Sequence, residues 1–396
     1  MEGERMISYQ QAKDRLIEQM PDYGAERCCW KNAVGRLLRE PVWVDRPLPP
    51  YDRVMMDGYA MRASDLAVDS LFRVKGVAWA GKAASALSDE PFSCMEVMTG
   101  AALPIGADVV IPVEKTERWG DRIIRISDKA MREVGTFIHR AGSDARAGDI
   151  ALEVGRKIGS REMGVIASCG ATSLSVARLP KIAIQATGDE LVAVEQMPMD
   201  HQIRQSNGHA LLAGLTAVGF AAEVLPTLAD DASADEIQQK WQGYDLVIVT
   251  GAVSMGKKDF VPRAMQDLGY DCLFHGVAQR PGKPLGVWKK SDQMIIALPG
   301  NPVSALVGLH AMVLPALRKA IGMKDAVPRM VSLQGKISTP PGLSLHLPVR
   351  WVGNEQVGAA PAGNSGDFMG LLRSDGWITL PADACSAQQY EFHEWI

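Results

Sequence analysis

The period of the apolar positions changes several times along the chain, and each change marks a different kind of element. In "SYQQAKDRLIEQM" Ala12, Leu16 and Met20 recur at helical spacing behind Ser8, with Gln11 three residues on, the signature of a capping box. The spacing predicts an amphipathic helix that needs a partner surface. "AVGRLLREPVWV" predicts a second helix stopped before Pro41, whereas the following "DRPLPPYDRVMMDGYAMR" carries too much Pro and Gly for regular structure. From Leu71 to about Arg140, short β-branched runs ("LFRVKGVAW", "DVVIPVEKTE", "RIIRISD") alternate with Gly, Asp and Pro, which predicts a small β domain without helices. The stretch "AGSDARAGDIALEVGRKIGSREMGVIASCG" returns to helical periodicity. The segments flanking the β domain are therefore expected to pack together, with the β domain as an insertion.

Between Lys181 and Gly322 strands and helices alternate. "KIAIQATG", "EVLPTL", "DLVIVTG", "CLFHGVAQR" and "MIIALPG" read as strands, and helices are expected near "HALLAGLTAVG", behind Ser233 with Glu236 in a capping box, from Asp259 and from Asn301. The pattern predicts a doubly wound α/β layer, and the near-continuous apolar strands suit a parallel sheet covered on both faces. After "KDAVPRM", short β runs ("VSLQGKIS", "LPVRWVG", "GWITLP") predict a small C-terminal β domain. The predicted fold class is α/β multidomain: a helical and linker domain over 1–50 plus 143–178, an inserted β domain over 51–142, a central α/β domain over 179–323 and a C-terminal β domain over 328–396.

Composition narrows the function classes. The chain has 396 residues, 47% apolar and 22% charged, which suits several folded domains. The formal charge is -4 with no long run of one sign, so no nucleic-acid or membrane surface is predicted, and any anionic ligand must meet a local positive site. Six cysteines lie scattered without a CxxC pair, and no apolar signal region opens the chain, which predicts a cytosolic protein with reduced thiols. The longest apolar stretch, "VSALVGLHAMVLPAL", is shorter than the ~20 residues a bilayer span requires. The histidines, His139 and His275 among them, show no zinc spacing and are expected to be structural.

Four loops stand at the carboxyl ends of predicted strands: "TGDE" from Thr187, "TGAVSMGKKD" from Thr250, "RPGKP" from Arg280 and "LPGNP" from Leu298. In an open parallel sheet those ends form one edge, where ligands bind. Glycines such as Gly188, Gly251, Gly256, Gly282 and Gly300 let backbone approach an anion. The helix after Pro299 has Asn301 as expected N-cap and Pro302 at its first position, directing a positive dipole end towards the edge. Lys257, Lys258, Arg280 and Lys283 bring positive charge, and Asp189, Glu190, Asp231 and Asp259 set carboxylates among them, a mixture that suits phosphates bridged by Mg²⁺. Ser254 is a hydrogen-bond donor to phosphate in this reading. Each loop taken singly also reads as a turn or helix cap, Lys257 and Lys258 as a solvated pair, and Asp259 as an N-cap alone. GxGxxG and GxxxxGK[ST] are both missing from this half, which disfavours a dinucleotide fold or a P-loop NTPase.

At these residues the chain resembles the molybdopterin molybdenumtransferase family, MoeA and the gephyrin E domain. "LPPYDRVMMDGYAMR", "VMTGAALPIGADVVIPVEKTE", "RAGSDARAGDIALEVG", "ATGDEL", "TGAVSMGKKDF", "RPGKPLGVW" and "LPGNPVSALV" match family blocks in order from Arg46 to Val307, and "SGDFMGLLRSDGWITLP" resembles the family's C-terminal domain. The resemblance implies a four-domain subunit in an elongated homodimer, with the helical and linker domain at the dimer interface. It implies insertion of molybdate into adenylylated molybdopterin with release of AMP, dependent on Mg²⁺. It carries over Asp57, Thr99, Asp144, Glu190 and Asp259 as catalytic residues, and Glu190, Asp231 and Asp259 as metal ligands. It also places Gly188, Asp189, Asn207, Gly251, Ser254, Gly256, Lys258, Arg280, Gly282, Lys283, Pro299, Gly300 and Asn301 at phosphate or pterin. Molybdopterin adenylyltransferase and molybdoenzyme acceptors are the implied partners. The chain departs from the pattern at Arg280, commonly lysine, at Ala252, commonly the second glycine of "GGVS", and in "RQSNGHAL", which lacks an aspartate. Two other readings compete: molybdopterin adenylylation, disfavoured by the blocks before Gly155, and a binding or scaffold protein that has lost catalysis.

Overall fold

The computed structural model describes residues 6–127, 133–253, 260–324, 327–361, 364–382 and 389–396. Contacts divide the chain into two compact units, one of Met1–Glu26, Gly35–Leu37 and Val176–Ile396, the other of Arg27–Val34 and Leu38–Ser175.

In the first unit the helix Tyr9–Gln19 forms as its spacing predicts. The Ser8 hydroxyl accepts from the Gln11 amide and the Gln11 side chain accepts from the Ser8 amide, while Tyr9, Ala12 and Leu16 are buried. Its partner surface includes the long helix Pro302–Ala320, which is apolar enough to cross a membrane but is 78% buried inside the protein. That helix widens to π geometry over Leu309–Val313, just before Pro315. Pro315 has no N–H for the Ala311 carbonyl four residues back, and the Tyr9 hydroxyl donates to that carbonyl at 3.3 Å. The N-terminal helix thus supplies a donor to a carbonyl that Pro315 cannot serve.

The α/β layer carries a six-stranded sheet in the order Ala222–Leu228, Ile182–Thr187, Leu246–Thr250, Gln293–Leu298, Gly286–Lys290, Asp271–His275. The first four strands are parallel, as predicted, but Gly286–Lys290 pairs antiparallel with both of its neighbours, so the sheet is mixed. Periodicity did not separate the tight return "GVWKK" from its loop, nor split "CLFHGVAQR" at Gly276. Asp271–His275 stays in this sheet, while Val277–Arg280 crosses into a seven-stranded sheet with Ile7–Ser8 and the C-terminal strands. The expected helices form at Asn207–Ala217, Ala234–Trp241 with Ser233 accepting from the Glu236 amide, and Val261–Asp267.

The second unit holds a six-stranded sheet built from Gly58–Met61, Leu71–Ala78, Ser93–Val97, Val109–Pro112, Thr116–Arg118 and Ile123–Ile126. "GYAM", expected to be irregular, is instead a fully buried strand paired on both sides. The helix expected in "AVGRLLREPVWV" does not form. The Leu38 amide donates to Arg156 O and the Leu38 carbonyl accepts from Gly155, so backbone bonds run across the chain rather than along it. The same holds before the helix Ser160–Ser168: Ile150–Leu152 pairs with Val42–Trp43, and Leu48 bridges Ala145, where helical periodicity had been read.

A Cβ on Gly58 would lie 2.0 Å from the Ile111 carbonyl oxygen of the paired strand. Gly58→Ala is expected to destabilise the second unit by about 2 to 3 kcal/mol, the scale of an overpacked core. Circular-dichroism melting should show a lowered transition; an unchanged one would mean the strand pair opens without cost.

Candidate functional site: a crevice at the carboxyl edge of the parallel strands

Three parallel strands of the first unit end flush, because Ala186 pairs with Thr250 and Thr250 with Leu298. The turns that follow, "TGDE", "TGAV" and "PGNP", therefore leave the sheet at one edge. The chain runs outward from Ile182–Thr187 to Ala222–Leu228 and then crosses back to Leu246–Thr250 on the other side, the switch point at which an open sheet leaves a crevice. A cavity of about 480 Å³ occupies it, lined among others by Thr187, Gly188, Glu190, Asn207, Asp230, Gly251, Pro299, Gly300 and Asn301.

The glycines make room rather than donate. Gly188 and Gly251 have φ of 141° and 95°, and a Cβ on them would meet the Glu190 carboxylate at 2.6 Å and the Thr187 carbonyl at 2.6 Å respectively. Their amides already donate to Leu228 O and Leu298 O, both at 3.2 Å. Asn301 occupies the N-cap position, but its side chain does not cap: Nδ2 donates to Ser365 Oγ at 2.8 Å, and the Val303 amide donates to Ser365 O at 3.0 Å. With Pro302 lacking an N–H, this helix start offers an anion fewer donors than its sequence promised.

Charge in the described wall comes from Glu190, Asp230 and Arg204, two carboxylates against one guanidinium, a net of -1. Asp231, the sequence candidate, is outside the wall; its neighbour Asp230 stands in it. Asp189 is also outside and accepts the Asp230 amide at 3.2 Å, steadying the turn that presents Asp230. Arg204, not singled out from sequence, is carried by the short parallel pairing of Leu191–Val192 with Ile203–Arg204, and its Nε donates to Val194 O at 2.9 Å. The signal was the alternation in "QIRQSN", too short to separate from a turn. Among the described residues no three His, Cys, Asp or Glu side chains gather around one point. Two carboxylates completed by phosphate oxygens are how Mg²⁺ is commonly held, and Glu190 and Asp230 are the two carboxylates of the described wall.

Two side-chain acceptors in the wall lack donors. Asn207 Nδ2 donates to Gly300 O at 2.7 Å, which fixes the amide and leaves Oδ1 buried without a partner; Gln205 Oε1 is in the same condition. The "RPGKP" loop contributes Pro284 to the wall, whereas Arg280, Gly282 and Lys283 are outside it. Its preceding strand belongs to the C-terminal sheet, so this loop does not leave the α/β edge as predicted. Ser254, Gly256, Lys257, Lys258 and Asp259 lie outside the described residues.

In the second unit the strand Arg53–Val54 pairs with Ile138–His139, and on its other side Val54 exchanges backbone hydrogen bonds with Gly100 and Ala101. The carboxylate of Asp57 accepts from both the amide and the hydroxyl of Thr99, at 2.6 and 2.7 Å, and these bonds, the amide first, hold it below the usual carboxylate range. Asp144 sits 2.8 Å from His139 Nε2, and the His139 ring takes Arg53 Nη2 at 3.1 Å on Nδ1. Since a guanidinium only donates, Nδ1 accepts and Nε2 carries the proton towards Asp144. His139, expected to be merely structural, orients a candidate site carboxylate. All these acidic groups are exposed.

A multidomain α/β protein with a ligand crevice at a sheet switch point and acidic groups in both units is what fold and site define. Residues 7–170 match the family of the MoeA N-terminal region (domain I and II), and residues 183–319 match a probable molybdopterin binding domain. Over 98% of the chain and 100% of its relative, the protein is 37% identical to a molybdopterin molybdenumtransferase of Synechocystis sp., and it is 32% identical to one of Synechococcus elongatus over 95% and 96%. The structure of the molybdopterin biosynthesis MoeA protein from Pyrococcus horikosii superposes with a TM-score of 0.84, covering 99% of this chain and 100% of that one at 25% identity. The chain belongs to the molybdopterin molybdenumtransferase family and is an enzyme of molybdenum cofactor biosynthesis.

Because the Thr99 hydroxyl supplies one of the two hydrogen bonds to Asp57, Thr99→Val should raise the Asp57 pKa part of the way to its ordinary value, the amide bond remaining. A carboxylate whose folded pKa is depressed stabilises the fold above its unfolded pKa, and that contribution disappears as pH falls through the folded value. The difference in stability between wild type and Thr99→Val should accordingly shrink below the carboxylate range. Carboxyl-carbon NMR titration reads the shift directly, and an identical titration in both proteins would dissolve the pair.

Proposed function

We propose that the crevice takes adenylylated molybdopterin, that the enzyme inserts molybdate into it and releases AMP, and that Mg²⁺ is required. The observation that carries this reading is the crevice at the switch point of the parallel strands, whose described wall brings Glu190, Asp230 and Arg204 together. Glu190 and Asp230 are the residues that would hold Mg²⁺. The ion, when bound, supplies positive charge to the phosphoanhydride oxygens as the bond to the leaving AMP breaks. Arg204 provides a fixed cation at the same wall. Asp57, Thr99 and Asp144 take the catalytic roles that the family resemblance implies. We further assign the chain to a cytoplasmic homodimer whose subunits each have four domains, over 1–50 plus 143–178, 51–142, 179–323 and 328–396, working beside molybdopterin adenylyltransferase and molybdoenzyme acceptors.

The test is release of AMP from adenylylated molybdopterin by the purified chain, with and without molybdate and Mg²⁺. Turnover requiring both ions is expected, with Glu190→Gln and Asp230→Asn each lowering it about a hundredfold, on the scale of losing a metal-holding or charge-stabilising group. Tight binding without release, or turnover indifferent to Mg²⁺, would overturn the reading.

A further inference from the structure

A buried polar chain connects the C-terminal sheet to the "RPGKP" loop. His346 lies on Ser344–Gly353, directly opposite Thr379 on Gly376–Leu380, and that strand also runs beside Val277–Arg280, with Gln279 paired to Ser344. His346 and Gln279 are each only 1% exposed. Gln279 Nε2 donates to the Gly282 carbonyl at 3.0 Å, so its Oε1 faces His346 Nε2, also at 3.0 Å, while His346 Nδ1 stands 3.0 Å from the Thr379 hydroxyl. A carbonyl oxygen only accepts. The imidazole therefore carries its proton on Nε2 and accepts on Nδ1 from Thr379, leaving no polar atom of the ring unmatched. Tyr9 and Trp377 close the site edge-on, with ring centroids 4.6 and 5.4 Å from the imidazole. Burial first, then the charges of His393 and Lys13, pushes its pKa down to about 3, in keeping with a ring that stays neutral.

We propose that His346 is a positioning residue: as a neutral imidazole in one tautomer it orients the Gln279 amide, which holds Gly282 and, through it, the loop that presents Lys283 and Pro284. A leucine would fill this site at lower desolvation cost, so what the imidazole adds is the hydrogen bond that it makes to Gln279. Gly282 has φ 92°, and a Cβ there would lie 2.9 Å from Gln279 Nε2, so the loop closes directly on the amide. On the other side of the turn the Lys283 carbonyl accepts from Val277 and Leu285. The backbone before and after Arg280 and Pro281 is thereby tied at both ends, with Pro284 at the crevice wall. The expected kinetic consequence rests on the molybdenumtransferase reading; the expected structural consequence does not.

The test uses the full chain. Imidazole ¹⁵N NMR should show His346 as the Nε2–H tautomer, unchanged to below pH 5. Hydrogen–deuterium exchange at residues 280–286 should rise severalfold in His346→Leu and in Gln279→Met, with exchange at 294–298 unchanged. Gln279→Glu, which keeps the acceptor towards His346 but removes the donor to Gly282, should loosen the same loop and raise the His346 pKa. In the AMP-release assay each variant should raise KM about tenfold with a smaller effect on kcat, as expected when a binding loop is misplaced. Should His346→Leu fail to fold, Gln279→Met and Gln279→Glu still decide the matter. The Nδ1–H tautomer, or loop exchange that stays at the wild-type rate in the Gln279 variants, would overturn the proposal. Absence of AMP release by the wild type would refute the functional reading while leaving tautomer and exchange to judge the relay.

Discussion

Register in the parallel ladder is the constraint on which the first unit depends. Residues 182–187, 246–250 and 293–298 are buried apolar runs with little side-chain alternation to pin them, yet their pairing brings Thr187, Thr250 and Leu298 to one edge. A shift of one residue in any strand would move its turn by about 3.3 Å along the strand and turn its side chains to the opposite face. Either change would break the wall, since Thr187 and Gly251 are already in contact with no space for a methyl group. The site is a consequence of three strands stopping together, and the polar residues in the turns exploit an edge that the apolar residues create.

Burying polar atoms imposes a second condition, met by partners from distant parts of the chain. Tyr9 donates to the carbonyl that Pro315 cannot serve, and Thr379, His346 and Gln279 answer one another before reaching Gly282. An unmet buried donor or acceptor costs about 1 to 3 kcal/mol, so each group fixes the position of its partner as well as satisfying it. These bonds tie the N-terminal helix, the core helix and the C-terminal sheet to the element that walls the crevice. Asn301 shows the same economy: a residue expected to cap its own helix reaches Ser365 instead, because a C-terminal loop takes the Val303 amide.

Long elements with a sustained period were legible in the sequence. The capping box at Ser8, the strands 182–187, 246–250 and 293–298, and the helices between them follow from local chemistry, and so does the convergence of three of the four loops. What was not legible depended on contacts between residues far apart. "GYAM" reads as a turn until two strands flank it, and Leu38 looks helical until Arg156 and Gly155 take its backbone. Likewise Val277–Arg280 continues "CLFHG" in sequence but changes sheets after Gly276. Within the site, side-chain direction was hidden in the same way: "DD" at 230 and 231 does not say which carboxylate faces inward, and Arg204 and His139 become visible only once their neighbours are in place.

Ala252 adopts φ 46°, a left-handed conformation that costs an alanine about 1 kcal/mol relative to glycine. Its side chain is partly buried and packs against the cluster containing Val249, Val253 and Trp288, which offsets part of that cost. Arg280 keeps the positive charge of the lysine commonly found there, and its side chain is outside the described wall, where the planar fork of a guanidinium has room. Neither change removes a carboxylate, a cation or an unmatched acceptor from the crevice, and the groups on which its chemistry depends are held by strand register and buried hydrogen bonds elsewhere.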